Sequence, residues 1–138
     1  EFLAGRPEVA GTKVGTTGYC MGGGLSLTAA AHHPDRIVAA ASFHGGNLAS
    51  DAPDSPHLVV GRITGRVVVA GAEDDGSFPP EQAELLERAL TEGGVDHTLE
   101  TYPALHGFAV PDNPTYDEAA ASRHWQALAN LYGAMLAN

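Results

Sequence analysis

The side chains best equipped for chemistry in this sequence are one sulfur, a set of imidazoles and a run of carboxylates. Cys20 is the only cysteine, and it sits in "GYCMGG" with Gly18 two residues before it and Gly22 two residues after. That spacing fits two chemistries. One is a glycine-rich loop that cradles a phosphate. The other is a nucleophile elbow, a strand-to-helix turn that presents a reactive side chain, here with sulfur in place of the commoner oxygen. An elbow is so cramped that a Cβ at either glycine is expected to collide, and its central residue is forced into a strained conformation that pushes the side chain outward. The helix N-terminus beneath the sulfur favours the thiolate, the nucleophilic form. The Met21 N–H then faces the oxygen of an attacked carbonyl and supplies half an oxyanion hole. The plainer alternative is that Cys20 is a small buried hydrophobe, the usual fate of a free cysteine.

The phosphate reading makes further demands. "TGYCMGGG" as the turn of an NAD(P)-dependent reductase wants an acid at the end of the next strand, about 20 residues on, and a Tyr-x-x-x-Lys pair. That strand ends in Phe43-His44-Gly45-Gly46 without an acid, and the only lysine, Lys13, lies upstream of everything. The reductase is therefore the weaker reading, and no cofactor is expected. Nor is a metal: no H-E-x-x-H spacing occurs, and one cysteine cannot build a zinc–thiolate site.

A nucleophile needs a base, and the base needs an orienting group. Of the seven histidines, His32 and His33 close a helix, His57 lies in a loop, His97 starts a strand and His124 stands beside Trp125; each reads as structural or solvated. His106 differs, because it follows the strand "HTLETY" on the loop that leaves its carboxyl end. His44 reaches the same rim, as a substrate contact or equally as a hydrogen-bonded loop residue. The stretch "AGAEDDGSF" leaves another strand there and offers Glu73, Asp74 and Asp75, one of which could orient the imidazole. The chain order nucleophile, acid, histidine is that of the α/β-hydrolases.

Positioning these groups requires strands that end together. Val14–Tyr19, Ile37–Phe43, Arg66–Ala70 and His97–Tyr102 read as strands, the middle two nearly all apolar as suits strands covered on both faces. Met21–His33 reads as a helix stopped by Pro34, and a second helix opens at Pro79-Pro80-Glu81 and runs to about Glu92. Thr115–Leu136 reads as a long amphipathic helix with Trp125, Leu128, Leu131, Tyr132 and Leu136 on its apolar side. Gly45–Thr64 reads as a long loop. Strands alternating with helices predict an α/β fold with a parallel sheet, at whose carboxyl ends ligands bind.

The length of 138 residues predicts a single domain over 1–138. With 7 Lys plus Arg against 17 Asp plus Glu, the formal charge is −10. Such a chain repels nucleic acid and anionic membrane surfaces, so neither is an expected partner. A lone cysteine excludes an internal disulfide and fits a reducing, cytoplasmic setting. No apolar run approaches the roughly 20 residues of a membrane span, and no basic-then-apolar leader is present.

Three stretches, "GYCMGGG", "RVVVAGAEDD" followed by "PPEQ", and "TYPALHGFAVPDNPTYDEAAASRHW", resemble the dienelactone hydrolase (carboxymethylenebutenolidase) family. The resemblance covers nearly the whole chain in the family's order. It implies an α/β-hydrolase-like three-layer sandwich of which this sequence holds the second half, the N-terminal part of the fold being absent. It also implies hydrolysis of an ester or lactone through an acyl-cysteine intermediate. The family's nucleophile falls on Cys20, its histidine on His106 and its acid on Asp74 or Asp75; Asp75 is preferred because the family's acid lies at the end of the small turn after the strand. His106 would shuttle the proton and Asp75 would hold its tautomer. In the family, the preceding strands carry the second oxyanion donor and a glutamate that governs the resting thiol. Without them the alternative is a catalytically incompetent half-domain that folds or associates as a fragment. One edge of the elbow strand would then be bare, and is expected to be covered by another copy or by a segment outside this sequence. Members that cleave dienelactone hold its carboxylate with arginines, one shortly after the histidine. Here that stretch is Phe108-Ala109-Val110, so a less charged ester or lactone is the expected small-molecule substrate.

Overall fold

The computed structural model of the chain, which describes residues 2–137, contains four strands and three α-helices, with a helix after every strand but the second. The order is β1 (Val14–Tyr19), α1 (Met21–His32), β2 (Ile37–Phe43), β3 (Arg66–Ala72), α2 (Pro80–Glu92), β4 (His97–Tyr102) and α3 (Glu118–Leu136). The sheet runs β1-β2-β3-β4 and every neighbouring pair is parallel. In register, Tyr19 faces Phe43, Phe43 faces Ala70, and Ala72 faces Tyr102. The carboxyl ends of all four strands therefore lie along one rim, from which the loops bearing Cys20, His44, Asp75 and His106 depart.

The sheet is covered on both faces, which makes three layers. On one side α1 and α2 pack with Leu27, Val60, Val67, Val69, Leu86 and Leu90. On the other α3 packs with Phe43, Ala70, Tyr102, Phe108, Leu128 and Leu131. Successive residues of β2 alternate between these cores: Ala40 belongs to the first, Ala39 and Ala41 to the second. Side chains alternate across a pleated strand, so a strand buried on both faces must be apolar at every position. That is why "IVAAASF" carries no helical or half-polar rhythm.

The long loop after β2 is more ordered than its Gly, Pro, Ser and Asp content predicts. It forms short 3-10 turns at Pro56–Leu58 and Val60–Arg62. It sends Leu48, Ala49, Val60 and Ile63 into the first core. Buried Ser55 ties it together, accepting from the Ser50 N–H at 2.9 Å and pairing with His57 Nδ1 at 2.8 Å.

Three boundaries differ from the sequence-based expectation. α1 closes at His32, and β3 continues past Ala70 to Ala72. α3 begins at Glu118 because Asp117 caps it, its carboxylate accepting the Ala120 N–H at 2.8 Å. The apolar stripe of α3 holds Leu128, Leu131 and Tyr132 as expected, but not Trp125. Trp125 is 60% exposed, while Ala121, His124, Leu128 and Leu131 are buried. An imidazole can take a core position when both its nitrogens are satisfied. His124 Nε2 meets the Tyr19 hydroxyl at 3.0 Å, and Nδ1 meets the Ala121 carbonyl at 2.5 Å. Among the described residues, no helix is long and apolar enough to cross a membrane.

Candidate active site

The elbow forms where β1 hands over to α1. Cys20 has φ 54° and ψ −123°, a conformation that L residues seldom adopt and that places stored strain beneath the sulfur. The chain is pinned there by the Cys20 N–H donating to the Phe43 carbonyl at 3.3 Å and the Gly23 N–H donating to the Cys20 carbonyl at 3.0 Å. A Cβ on Gly18 would lie 1.7 Å from the Gly22 carbonyl oxygen, so strand and helix backbones do nearly touch. The expected collision at Gly22 itself does not occur, because a Cβ there meets open space. The second tight glycine is Gly23, where a Cβ would come within 2.2 Å of Ser42 Oγ on β2. The elbow is cramped against its own first turn at one point and against the neighbouring strand at the other. The Cys20 side chain is exposed, not buried in a core.

The loop after β4 brings His106 over the sulfur, with Nε2 3.1 Å from Cys20 Sγ. The loop is held by the Thr115 hydroxyl, which donates to the His106 carbonyl at 2.6 Å, and by the Glu73 N–H, which donates to the Ala104 carbonyl at 2.8 Å. His106 Nδ1 lies 2.6 Å from Asp75 Oδ2. Of the three acids offered by the β3 loop, Glu73 and Asp74 are exposed, while the Asp75 side chain is 5% exposed. Asp74 adopts φ 52°, and that turn lets its neighbour point inward.

Ser77 is a site residue that sequence reasoning missed. Its N–H and its hydroxyl both donate to Asp75 Oδ1, at 2.9 and 2.6 Å, which leaves Oδ2 for His106. The signal was available: an Asp followed two residues later by a serine is the spacing of an Asx turn. Burial pushes the Asp75 carboxyl up, but the bonds from Ser77 and His106 outweigh it and hold the group below its ordinary range. Burial pushes His106 down, and the bonds to Asp75 and Cys20 reverse that, so its imidazole is shifted up.

A cavity of about 440 Å³ opens over the sulfur, lined by Cys20, Met21, Leu25, Asn47, Ser77 and His106 among others. Met21 is 76% exposed, and its side chain forms part of the wall. His44, expected as a substrate contact, is 1% exposed and does not line the cavity. Instead it lies behind His106, with ring centroids 5.2 Å apart. The turn at φ 38° that ends β2 carries its ring inward, away from the rim. A larger cavity of about 630 Å³ lies on the far side of the β3 loop, lined by Asp74, Glu84 and Thr101 among others. Neither Cys20 nor His106 reaches it, so it is not where the sulfur could react. Among the described residues, no three His, Cys, Asp or Glu side chains converge in a way that could hold a metal ion.

A parallel sheet, a strained elbow and a sulfur–imidazole–carboxylate line place the chain among proteins of α/β-hydrolase architecture. The sequence model of the dienelactone hydrolase family matches residues 1–136, and the chain belongs to that family. A relative from Synechocystis sp. is 32% identical over 130 residues, covering 91% of this chain and 52% of its own. A Klebsiella pneumoniae structure superposes with a TM-score of 0.85 at 24% identity, covering 96% of this chain and 56% of its own. These two carry their assignments, as a carboxymethylenebutenolidase and a dienelactone hydrolase, by name only. The dienelactone hydrolase-like promiscuous phosphotriesterase from metagenomic libraries is 31% identical, with a TM-score of 0.79 and the same two coverages, 96% and 56%. The chain thus spans about half the length of the relatives it matches.

Proposed function

We propose that the chain carries the nucleophile-bearing part of an ester or lactone hydrolase that works through an acyl-cysteine intermediate. The observation that supports this most is the unbroken line from Asp75 Oδ2 through His106 to Cys20 Sγ, with steps of 2.6 and 3.1 Å. In this reading His106 Nε2 takes the thiol proton as the sulfur attacks the carbonyl carbon. Asp75 accepts from Nδ1–H, fixes the tautomer and stabilises the imidazolium that forms. The Met21 N–H, in the first turn of α1, lacks an intrahelical partner and donates to the developing oxyanion. His106 returns its proton to the leaving alkoxide, and water then repeats the sequence on the thioester.

The cavity favours a neutral ester or lactone. Apart from Cys20 and His106, the one ionisable side chain among the residues that line it is the acid Asp54. A substrate carboxylate would meet no cation there. Because one structural neighbour is named a promiscuous phosphotriesterase, an activated phosphotriester belongs beside the ester among the test compounds. A reducing compartment such as the cytoplasm would keep the thiol free.

Cys20→Ala is expected to abolish turnover of an activated ester, a loss of about 10³-fold or more, while Cys20→Ser leaves a trace. Unchanged turnover in Cys20→Ala would overturn the proposal. The second reading, an incompetent fragment, is favoured by one observation: among the described residues β1 pairs only with β2, so its other edge is open. An open edge is a template for self-association. Light scattering combined with the ester assay separates the readings, because a monomer that turns over ester excludes the fragment.

A further inference from the structure

His44 is the most anomalous side chain near the site. Its ring is 1% exposed, and neither Nδ1 nor Nε2 has a hydrogen-bond partner among the described residues. Its backbone sits at φ 38°, held there by its N–H donating to the Ala70 carbonyl at 2.8 Å. Buried polar atoms without partners are costly, and so is a positive φ on a residue with a side chain. Both liabilities meet on one residue, and that residue touches the imidazole of the proposed base.

The contacts say what the ring does. It packs edge-to-face on His106 with centroids 5.2 Å apart and a 60° interplanar angle. On another side it packs edge-to-face on Phe108 at 4.9 Å and 82°. Tyr19 lies 5.8 Å away. Edge-to-face pairs are directional, so a fixed ring behind an imidazole selects the plane in which that imidazole lies. His106 must hold one plane to reach Asp75 on one side and Cys20 on the other, and its ring is otherwise half-exposed and free to turn about its side-chain bonds. Histidine also suits the backbone. At positive φ it is several-fold enriched over most residues with side chains, and it is the only aromatic ring among those so favoured. The position asks for a flat ring on a left-handed turn, and histidine meets both demands.

We propose that His44 is a positioning residue: its buried ring, backed by Phe108, holds the His106 imidazole in the plane that joins Asp75 to Cys20. The ring acts by packing, and its nitrogens are a by-product of the backbone requirement. The proposal rests on the hydrolase reading above. The titratable groups around the pair are Asp75 from the β3 loop, Cys20 and Tyr19 from the elbow region and His124 from α3. His44 itself is pushed down to about 4, by burial first and by His106 second, so it stays neutral beside the working base.

The test pairs His44→Asn, which suits the turn but has no ring, with His44→Phe, which keeps a ring and has no nitrogens. The readouts are the His106 titration followed by side-chain NMR, and kcat and KM on an activated ester. In the wild type, His106 should titrate above the ordinary imidazole value. In His44→Asn that elevation should shrink, with kcat down about tenfold and KM within about twofold. His44→Phe should rescue both readouts. Phe108→Leu removes the backing without touching the turn, and should move both in the same direction as His44→Asn, by less; it decides the matter should His44→Phe misfold. An unchanged His106 titration in His44→Asn would overturn the proposal alone, as would a His44→Phe that folds and is as impaired as His44→Asn. A wild-type His106 that titrates at the ordinary value would overturn the hydrolase relay and this proposal with it.

Discussion

The ends of β2 and β4 each turn a histidine toward the same point, and the two imidazoles are treated in opposite ways. His106 is partly exposed and has a partner at both nitrogens. His44 is buried and has none among the described residues. Burial alone does not tell the two rings apart in chemical terms. What separates them is pairing: a ring bonded at both nitrogens can pass a proton, and a ring bonded at neither can only pack. Their titrations move in opposite directions as well: burial drives His44 down, while at His106 burial is outweighed by the bonds to Asp75 and Cys20 and the shift is upward.

The comparison can be broken first at the acid that pairs His106. Asp75→Asn should lower kcat by about 10²–10⁴-fold, because the amide cannot enforce the working tautomer. Asp74→Asn, on an exposed side chain one residue away, should stay within about twofold of the wild type, since its contacts with the site are lost to water. Equal losses in the two variants would erase the distinction that the β3 turn makes between neighbours.

The next effect is on stability and has opposite signs at the two histidines. Burial pushes His44 down to about 4 in the folded chain, against an ordinary 6.5. As pH falls from 6.5 toward 4 the unfolded chain takes up that proton and the folded chain does not, so the native state loses about 3 kcal/mol through this group. His44→Phe should flatten the urea-denaturation profile across that window by this amount. His106, shifted up, behaves the other way. Its contribution is complete below 6.5 and disappears as pH rises through its folded value. His106→Gln should therefore cost more stability at pH 6 than at pH 9.

Smaller effects sharpen the picture. Ser77→Ala removes the hydroxyl bond to Asp75 Oδ1, while the backbone N–H bond remains. Losing one charge-assisted hydrogen bond is worth about 1–2 kcal/mol, so kcat should fall about five- to thirtyfold with little change in KM. The smallest effect is at the elbow. Cys20→Gly releases the strain of φ 54°, partly offset by the greater freedom of the unfolded chain. It should raise stability by about 1 kcal/mol, seen as a higher Tm in an inactive protein. A lower Tm would mean that the turn is unstrained.

Much of this architecture was legible because it depends on residues close in sequence. The elbow follows from Gly18 and the strand-to-helix change around Cys20, and the strands follow from short apolar runs between turn residues. Two of the seven histidines, His44 and His106, follow a strand's carboxyl end, and only His106 comes after the acids of the β3 loop, in the order nucleophile, acid, histidine. Errors arose where a local rule met a distant partner. Gly22 seemed as cramped as Gly18, but the second collision belongs to Gly23, because Ser42 of β2 lies beneath it. Trp125 seemed to face the core, but His124 takes that place because Tyr19, 105 positions away, satisfies its ring. His44 leaves β2 at the same rim as His106, but it turns at φ 38° and its ring is 1% exposed.

By itself, then, the sequence determined the alternation of strands and helices, the sulfur at the tip of the first crossover, and the set of side chains able to serve it. Those features are written in spacing and in local backbone preference, which a reader can follow along the chain. Folding decided which carboxylate reaches the imidazole, which serine holds that carboxylate, and which histidine packs behind. Such choices are made within a few ångströms by groups 31 positions apart for Asp75 and His106, and 86 apart for Cys20 and His106. A parallel sheet gathers the ends of its strands onto one rim only after all of them have paired.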